Sequence, residues 1–260
     1  MDTSKPPIYE VTHNVTFFEC DFNGNWKPAS FFQQLTELAA VHAGILGFGY
    51  EEMLSQNLHW VHSRMKIKFF RFPHPGEQII LRTWPKTVQQ KLFYIRDFEV
   101  IDSGGNLLAA ATSAWLVINS ANHKLVPPQV CNLNLPGQPD RHGLDEPLEK
   151  IGLDDSLTKS RRFTPAYSAI DMIGHVNNSR YVEWLSDSLP MDLFLTNTMD
   201  WIQVNYDHEV LPAETVLVKT GTSPGEKNLW MVEGTKLDSG IRAFSAQVMF
   251  IENGKGQNLT

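Results

Sequence analysis

Cysteine is scarce: Cys20 and Cys131 are the two in 260 residues. They lie far apart without metal-type spacing, which excludes a disulfide scaffold and a thiolate metal cluster and points to a reducing cytoplasm. Long apolar runs are missing as well. Nothing approaches the roughly 20 residues that span a bilayer, and the opening MDTSKPPIYEV has neither a secretory nor a transit-type pattern, so a bacterial cytoplasmic setting is expected. Positive charge is in deficit, with 22 Lys and Arg against 29 Asp and Glu. A net charge of −7 argues against broad nucleic-acid binding, which needs clustered cations at phosphates. An acidic protein partner would need a local basic patch.

What the chain does have is an internal repeat. CDFNGNWKPASFFQQLTELA, Cys20 to Ala39, aligns with IDMIGHVNNSRYVEWLSDSL, Ile170 to Leu189, at an offset of 150 positions (Asp21 to Asp171). Both copies share the Asp, a Gly three residues on, and an amphipathic segment. In the first copy Phe31, Leu35, Leu38, His42 and Leu46 recur at helical steps, and in the second Tyr181, Leu185 and Leu189 do. Each copy therefore predicts a loop feeding a helix with one buried face.

The segments downstream alternate. RMKIKFF, Arg64 to Phe70, and WIQVNYDHE, Trp201 to Glu209, predict half-buried strands, with Gln203, Asn205, Asp207 and Glu209 on the polar face. Matching turns follow, HPGE at His74 to Glu77 and LPAE at Leu211 to Glu214, and each copy closes on a similar strand, SAWLVI or SAQVMF. One helix followed by sequential strands implies an α+β unit whose antiparallel sheet wraps the helix. Two such units predict a duplicated, side-by-side sheet, an internal pseudo-dimer. The expected parts are an N-terminal unit over residues 1–130, a Pro-, Gly- and Asp-rich crossing linker over 131–158 with the boundary near 150, and a C-terminal unit over 159–260.

From Asp21 to Pro75 the first copy spans 54 positions and from Asp171 to Pro212 the second spans 41, so the first carries about 13 extra residues within HAGILGFGYEEMLSQNLHW. That insert either lines an apolar pocket or is a surface loop with its own hydrophobic anchor. Arg64, Lys66, Lys68 and Arg71 read as a solubilising strand face or a docking patch. His123-Lys124 and Arg161-Arg162 are equally ambiguous. Trp60, Trp115, Trp184 and Trp201 suit core or pocket wall.

Only the second copy has a histidine in the repeated loop, His175 in Asp171-Met172-Ile173-Gly174-His175. A His ahead of a helix can move a proton near neutral pH, and backbone N–H groups at the helix start, around Val176, Asn177 and Asn178, can polarise a carbonyl oxygen. The plainer alternative is that Asp171 caps the turn, Asn177 or Asn178 caps the helix, and His175 is a bystander.

His175-Val176-Asn177-Asn178, with Asp171 before it and Tyr181 and Trp184 after it, resembles the signature of plant and bacterial acyl-acyl-carrier-protein thioesterases, which are tandem hot-dog proteins. The similarity extends through Trp60-Val61-His62-Ser63-Arg64, Arg96-Asp97, Ala111-Thr112-Ser113-Ala114-Trp115 and Tyr206-Asp207-His208-Glu209-Val210. It implies hydrolysis of fatty acyl thioesters on acyl carrier protein, an acyl pocket in the first unit, and Asp171, His175 and Glu209 as the catalytic set, with no cofactor and no metal. Two positions depart from the family pattern. Val210 stands where plant members often have Cys, which removes a cysteine nucleophile there. Ile173 stands where the family's loop has Asn, and its side chain can orient neither a water nor a thioester oxygen. The competing expectations are a non-catalytic acyl-thioester-binding protein with a degraded site, an acyl-CoA thioesterase, or a hot-dog dehydratase. Either a monomer or a homodimer suits the duplication.

Overall fold

The computed structural model describes residues 5–131, 133–152 and 157–253. These divide into two compact units with the main boundary between Leu148 and Glu149, the pieces Asp21–Asn23 and Lys27–Phe32 grouping with the second. Of the expected linker, residues 132 and 153–156 lie outside the described residues.

In the first unit, β1 (Tyr9–Asn14) precedes helix α1 (Pro28–Leu46) and the short α2 (Tyr50–Ser55). Then come β2 (Leu58–Phe69), β3 (Gln78–Gln89), β4 (Phe93–Asp102), β5 (Leu107–Asn119) and the one-turn α3 (Pro128–Cys131). The strands pair antiparallel in the order β1-β3-β4-β5-β2. The second unit repeats the plan. It has β6 (Lys159–Phe163), α4 (Asn178–Ser188), α5 (Met191–Thr196), β7 (Asn197–Tyr206), β8 (Val216–Thr222), β9 (Leu229–Lys236) and β10 (Arg242–Glu252), ordered β6-β8-β9-β10-β7. Each is the α+β arrangement that the repeat predicts, and it matches the hot-dog unit that the family resemblance implies.

The helix faces follow the sequence periodicity. Phe31, Leu35, Leu38, His42 and Leu46 are all buried, as are Tyr181, Leu185 and Leu189. On β2, Met65, Ile67 and Phe69 are buried and Arg64, Lys66 and Lys68 are partly exposed. On β7 the alternation misleads: Gln203 and Asn205, expected to face solvent, are buried. The polar face is roofed. Ile151 and Leu157 pack with Leu229, Met231, Trp201 and Met249, and Gln203 Nε2 donates to Glu149 O at 2.7 Å and to Asn205 Oδ1 at 3.1 Å. Burial of an amide is tolerated where such bonds replace water.

The expected linker is in part a strap fixed to the first unit's sheet. Gln138 N–H donates to Pro85 O at 2.9 Å, Arg141 lies over the Trp84 ring, and Arg64 donates to Leu148 O at 2.6 Å. Beneath it, Asp97 has no exposed surface and meets Lys86 Nζ at 2.9 Å, Thr112 Oγ1 at 2.7 Å and the Gly143 N–H at 2.8 Å. Burial nonetheless holds the Asp97 carboxyl above the ordinary aspartate range. The basic stripe is spent in this way too: Lys66 pairs with Glu146 and Arg71 with Glu77 at 2.8 Å. The extra segment of the first copy extends α1 and forms α2, and it sinks Met53 into an apolar cluster with Tyr94 and Val117.

Gly143 lets the strap approach the sheet. A Cβ there would stand 2.7 Å from Ala111 O and 3.0 Å from Phe98 O, both backbone. Overpacking of this kind costs about 1–3 kcal/mol, so Gly143→Ala lowers the unfolding free energy by that amount and moves the urea midpoint down in proportion. An unchanged midpoint would show that the strap is not packed as described.

His42 supplies a pH dependence. Its Nε2–H donates to Pro6 O at 2.9 Å and its Nδ1 accepts from Arg96 at 3.0 Å. Burial first, and Arg96 second, depress it from 6.5 to about 4. The unfolded chain takes up the proton that the folded ring refuses. Stability is therefore complete above pH 6.5 and is lost as pH falls toward 4, by about 3 kcal/mol from this group. Urea titrations at pH 7.5 and 4.5 should show the slope, and His42→Gln should flatten it.

Candidate active site

The loop between β6 and α4 is built by one carboxylate. Asp171 Oδ1 accepts the N–H of Ile173 at 3.0 Å and of His175 at 3.2 Å, while its own N–H donates to His175 O at 2.8 Å. Gly174, at φ 85°, makes the reversal without a Cβ penalty. Asn177 then caps α4, its Oδ1 accepting from the Ser179 N–H at 3.0 Å and the Ser179 hydroxyl at 2.8 Å. The first repeat builds the same loop, with Asn23 N–H on Asp21 Oδ1 at 2.8 Å and Gly24 at φ 74°.

Glu209 reaches the loop from the far end of β7. That strand stops at Tyr206, so the expected strand parity does not govern Glu209. The N–H groups of Asp207 and His208 both donate to Ala243 O, at 2.9 and 3.0 Å, which breaks the ladder, and Arg242 holds the Asp207 carboxylate at 2.9 Å. Val210 is buried. Its carbonyl accepts the Val176 N–H at 2.9 Å and its N–H donates to the Tyr181 hydroxyl at 3.1 Å. The turn beyond is closed by Glu214, whose carboxylate accepts the Leu211 N–H at 2.7 Å and meets Lys236 at 2.8 Å.

Because Val176 follows His175 and Val210 follows Glu209, the Val176–Val210 bond brings those two side chains together. His175 Nδ1 lies 3.5 Å from Glu209 Oε2, with the His ring 30% and the Glu side chain 55% exposed. This is just beyond a strong hydrogen bond and within the looseness that unliganded sites tolerate. A solvent-reachable imidazole and carboxylate so placed can take a proton from water and pass one on.

Of the sequence-derived set, Asp171 organises the loop, and His175 and Glu209 form the pair. Ile173 is half-buried, and its N–H serves the loop. Two of the three oxyanion candidates are already committed: Val176 N–H to Val210 O, and Asn177 N–H to Ala169 O at 2.9 Å. Asn178 is the one whose N–H enters none of these bonds. The first repeat makes the equivalent tie, Trp26 N–H to Pro73 O at 2.8 Å, but sets Asn25 and Phe72 where the second has His175 and Glu209. The Tyr181 hydroxyl bond was not read from the sequence, although Phe31 at the matching repeat position was its signal.

With this geometry in view, comparison with known proteins gives two family matches in series: acyl-ACP thioesterase N-terminal domain over residues 6–132 and acyl-ACP thioesterase C-terminal domain over residues 154–251. The chain belongs to the acyl-acyl-carrier-protein thioesterase family. The chloroplastic palmitoyl-acyl carrier protein thioesterase of Gossypium hirsutum is 30% identical over 215 residues, covering 78% of this chain and 52% of that protein. Oleoyl-acyl carrier protein thioesterase 1 of Arabidopsis thaliana, also chloroplastic, is 27% identical, covering 88% of this chain and 68% of its own length. The chain spans about half the length of the first of these plant relatives. A solved acyl-ACP thioesterase from Bacteroides thetaiotaomicron superposes with a TM-score of 0.84 at 27% identity, covering 94% of this chain and 98% of that one. The 12:0-ACP thioesterase of Umbellularia californica, at 21% identity and TM-score 0.79, shares the fold. His175 and Glu209 both fall within the C-terminal family domain.

Asn177→Ala removes a helix cap and should cost about 1 kcal/mol, measured by urea unfolding. A larger loss would mean that Asn177 does more for the loop than cap α4.

Proposed function

We propose that this chain hydrolyses fatty acyl thioesters of acyl carrier protein, with His175 and Glu209 as the reacting pair. The observation that carries this reading is their 3.5 Å approach in the C-terminal family domain, supported by the first repeat's having Asn25 and Phe72 at those positions. Glu209 takes a proton from a water molecule while that water's oxygen bonds to the thioester carbon. Glu209 hands that proton across to His175, the tetrahedral oxyanion collapses, the C–S bond breaks, and His175 delivers the same proton to the departing thiolate, leaving the free acid, the carrier thiol and both side chains as they began. Asp171 keeps the loop in register, and the Asn178 N–H is the helix-start donor for the oxyanion. Neither Cys20 nor Cys131 enters, and the scheme requires no cofactor and no metal.

The acyl chain is assigned to the first unit, whose extra segment contributes Met53 to the apolar cluster with Tyr94 and Val117. A cytoplasmic setting accords with Cys20 and Cys131 both being free thiols. No helix among the described residues is long and apolar enough to cross a membrane. Ile173 favours a second reading, an acyl-thioester-binding protein with a degraded site. If its missing polar contact equals the loss of one oxyanion donor, the rate falls by on the order of 100- to 1,000-fold, which leaves a slow enzyme.

Free-thiol release from an acyl-carrier-protein thioester separates the two. Turnover by the wild type that collapses in His175→Ala and Glu209→Ala and rises in Ile173→Asn is the expected result. No turnover by the wild type or by Ile173→Asn, together with tight binding of the acylated carrier, sinks the hydrolase. Turnover with the coenzyme A thioester alone moves the substrate class.

A further inference from the structure

Val210 is the residue on which the candidate site turns, and it is held from two sides. Its carbonyl is taken by Val176 of the His175 loop at 2.9 Å, and its N–H is taken by the hydroxyl of Tyr181, one turn into α4, at 3.1 Å. Tyr181 is 2% exposed, and its ring is wedged edge-on against Tyr206 and Phe244, at centroid distances of 5.6 and 5.3 Å. A second phenol braces the same junction from the strand side, Tyr206 donating to Asn178 O at 3.3 Å. Burial raises the Tyr181 phenol well above its ordinary range, with the nearby Glu209 and Asp171 charges adding to it, so the ring stays neutral.

The duplicated chain contains its own comparison. At the 150-residue offset Tyr181 corresponds to Phe31, and at the 137-residue offset of the turns, His74 to Leu211, Val210 corresponds to Pro73 and Tyr206 to Phe69. The first repeat thus builds the same loop and the same Trp26-to-Pro73 tie with no hydroxyl at the helix position and no N–H at the turn position. The backbone arrangement does not require the hydroxyl. It appears in the copy that also has a histidine and a glutamate to align.

We propose that Tyr181 is a positioning residue: by gripping the Val210 N–H from α4, its hydroxyl fixes the backbone beside Glu209 and so keeps the carboxylate in reach of His175. The inference rests on the hydrolase reading, in which that reach sets the rate of proton transfer. With the grip gone, Val210 retains only its carbonyl tie and can pivot about it, and Glu209, whose exposed side chain meets His175 at 3.5 Å, drifts from that approach. The chemical step suffers and acyl binding does not.

Tyr181→Phe tests this with three readouts on the full chain: kcat and KM for an acyl-carrier-protein thioester, the thermal midpoint, and the 15N resonances of the His175 ring. The expected result is a kcat about tenfold lower, a KM within twofold of wild type and a shifted Nδ1 resonance. A lower thermal midpoint with kcat within twofold and the ring resonances unmoved overturns the proposal, because it assigns the hydroxyl to satisfying a buried N–H alone. If the wild type releases no thiol, the hydrolase reading fails separately. The ring resonances then still judge the grip, a shift upholding it and no shift removing it.

Discussion

One backbone hydrogen bond organises the second unit's candidate site. Val176 and Val210 are distant in sequence, yet the N–H of one on the carbonyl of the other, at 2.9 Å, decides which side chains meet, because a residue on either side of a fixed peptide has little freedom in where it projects. The Asp171 turn, the Asn177 cap and the Glu214-closed turn all hold one or other partner of that bond. Removing the carboxylate at 171 would free two N–H groups and with them the approach of the loop to the end of β7.

The equivalent bond from Trp26 to Pro73 makes the chain a paired experiment in divergence. Two copies of one backbone plan differ in what hangs from it: Asn25 and Phe72 in one, His175 and Glu209 in the other. The hot-dog unit is thus a frame that tolerates either set, and the proposed reactive pair flanks a loop-to-turn bond that both copies share. This is the sense in which function is grafted on a fold.

The repeat made most of this legible in the sequence. The offset joining Asp21 to Asp171 located both loops, and helical spacing identified the buried faces of α1 and α4, because those signals are local. Three features were not legible. Gln203 and Asn205 read as solvent-facing, since period-two alternation reports chemical character and cannot report that Glu149, Ile151 and Leu157 roof the polar side. Glu209 read as a strand residue because nothing in YDHE announces that two successive N–H groups share Ala243 O and end the ladder. The helix-start donors at Val176 and Asn177 looked available because their acceptors, Val210 O and Ala169 O, belong to backbone that sequence types do not encode.

The strap from Gln138 to Leu148 changes what counts as the first unit. The match to the N-terminal family domain ends at residue 132, but the cover over Lys86, Asp97 and Thr112 is supplied by Gly143 and Leu144. A fragment stopped at the family boundary would have an intact sheet with a wetted ion pair in its middle and no acceptor for Arg64. Dissected for separate expression, the first unit should therefore be taken through Leu148, since its lining continues beyond its last strand.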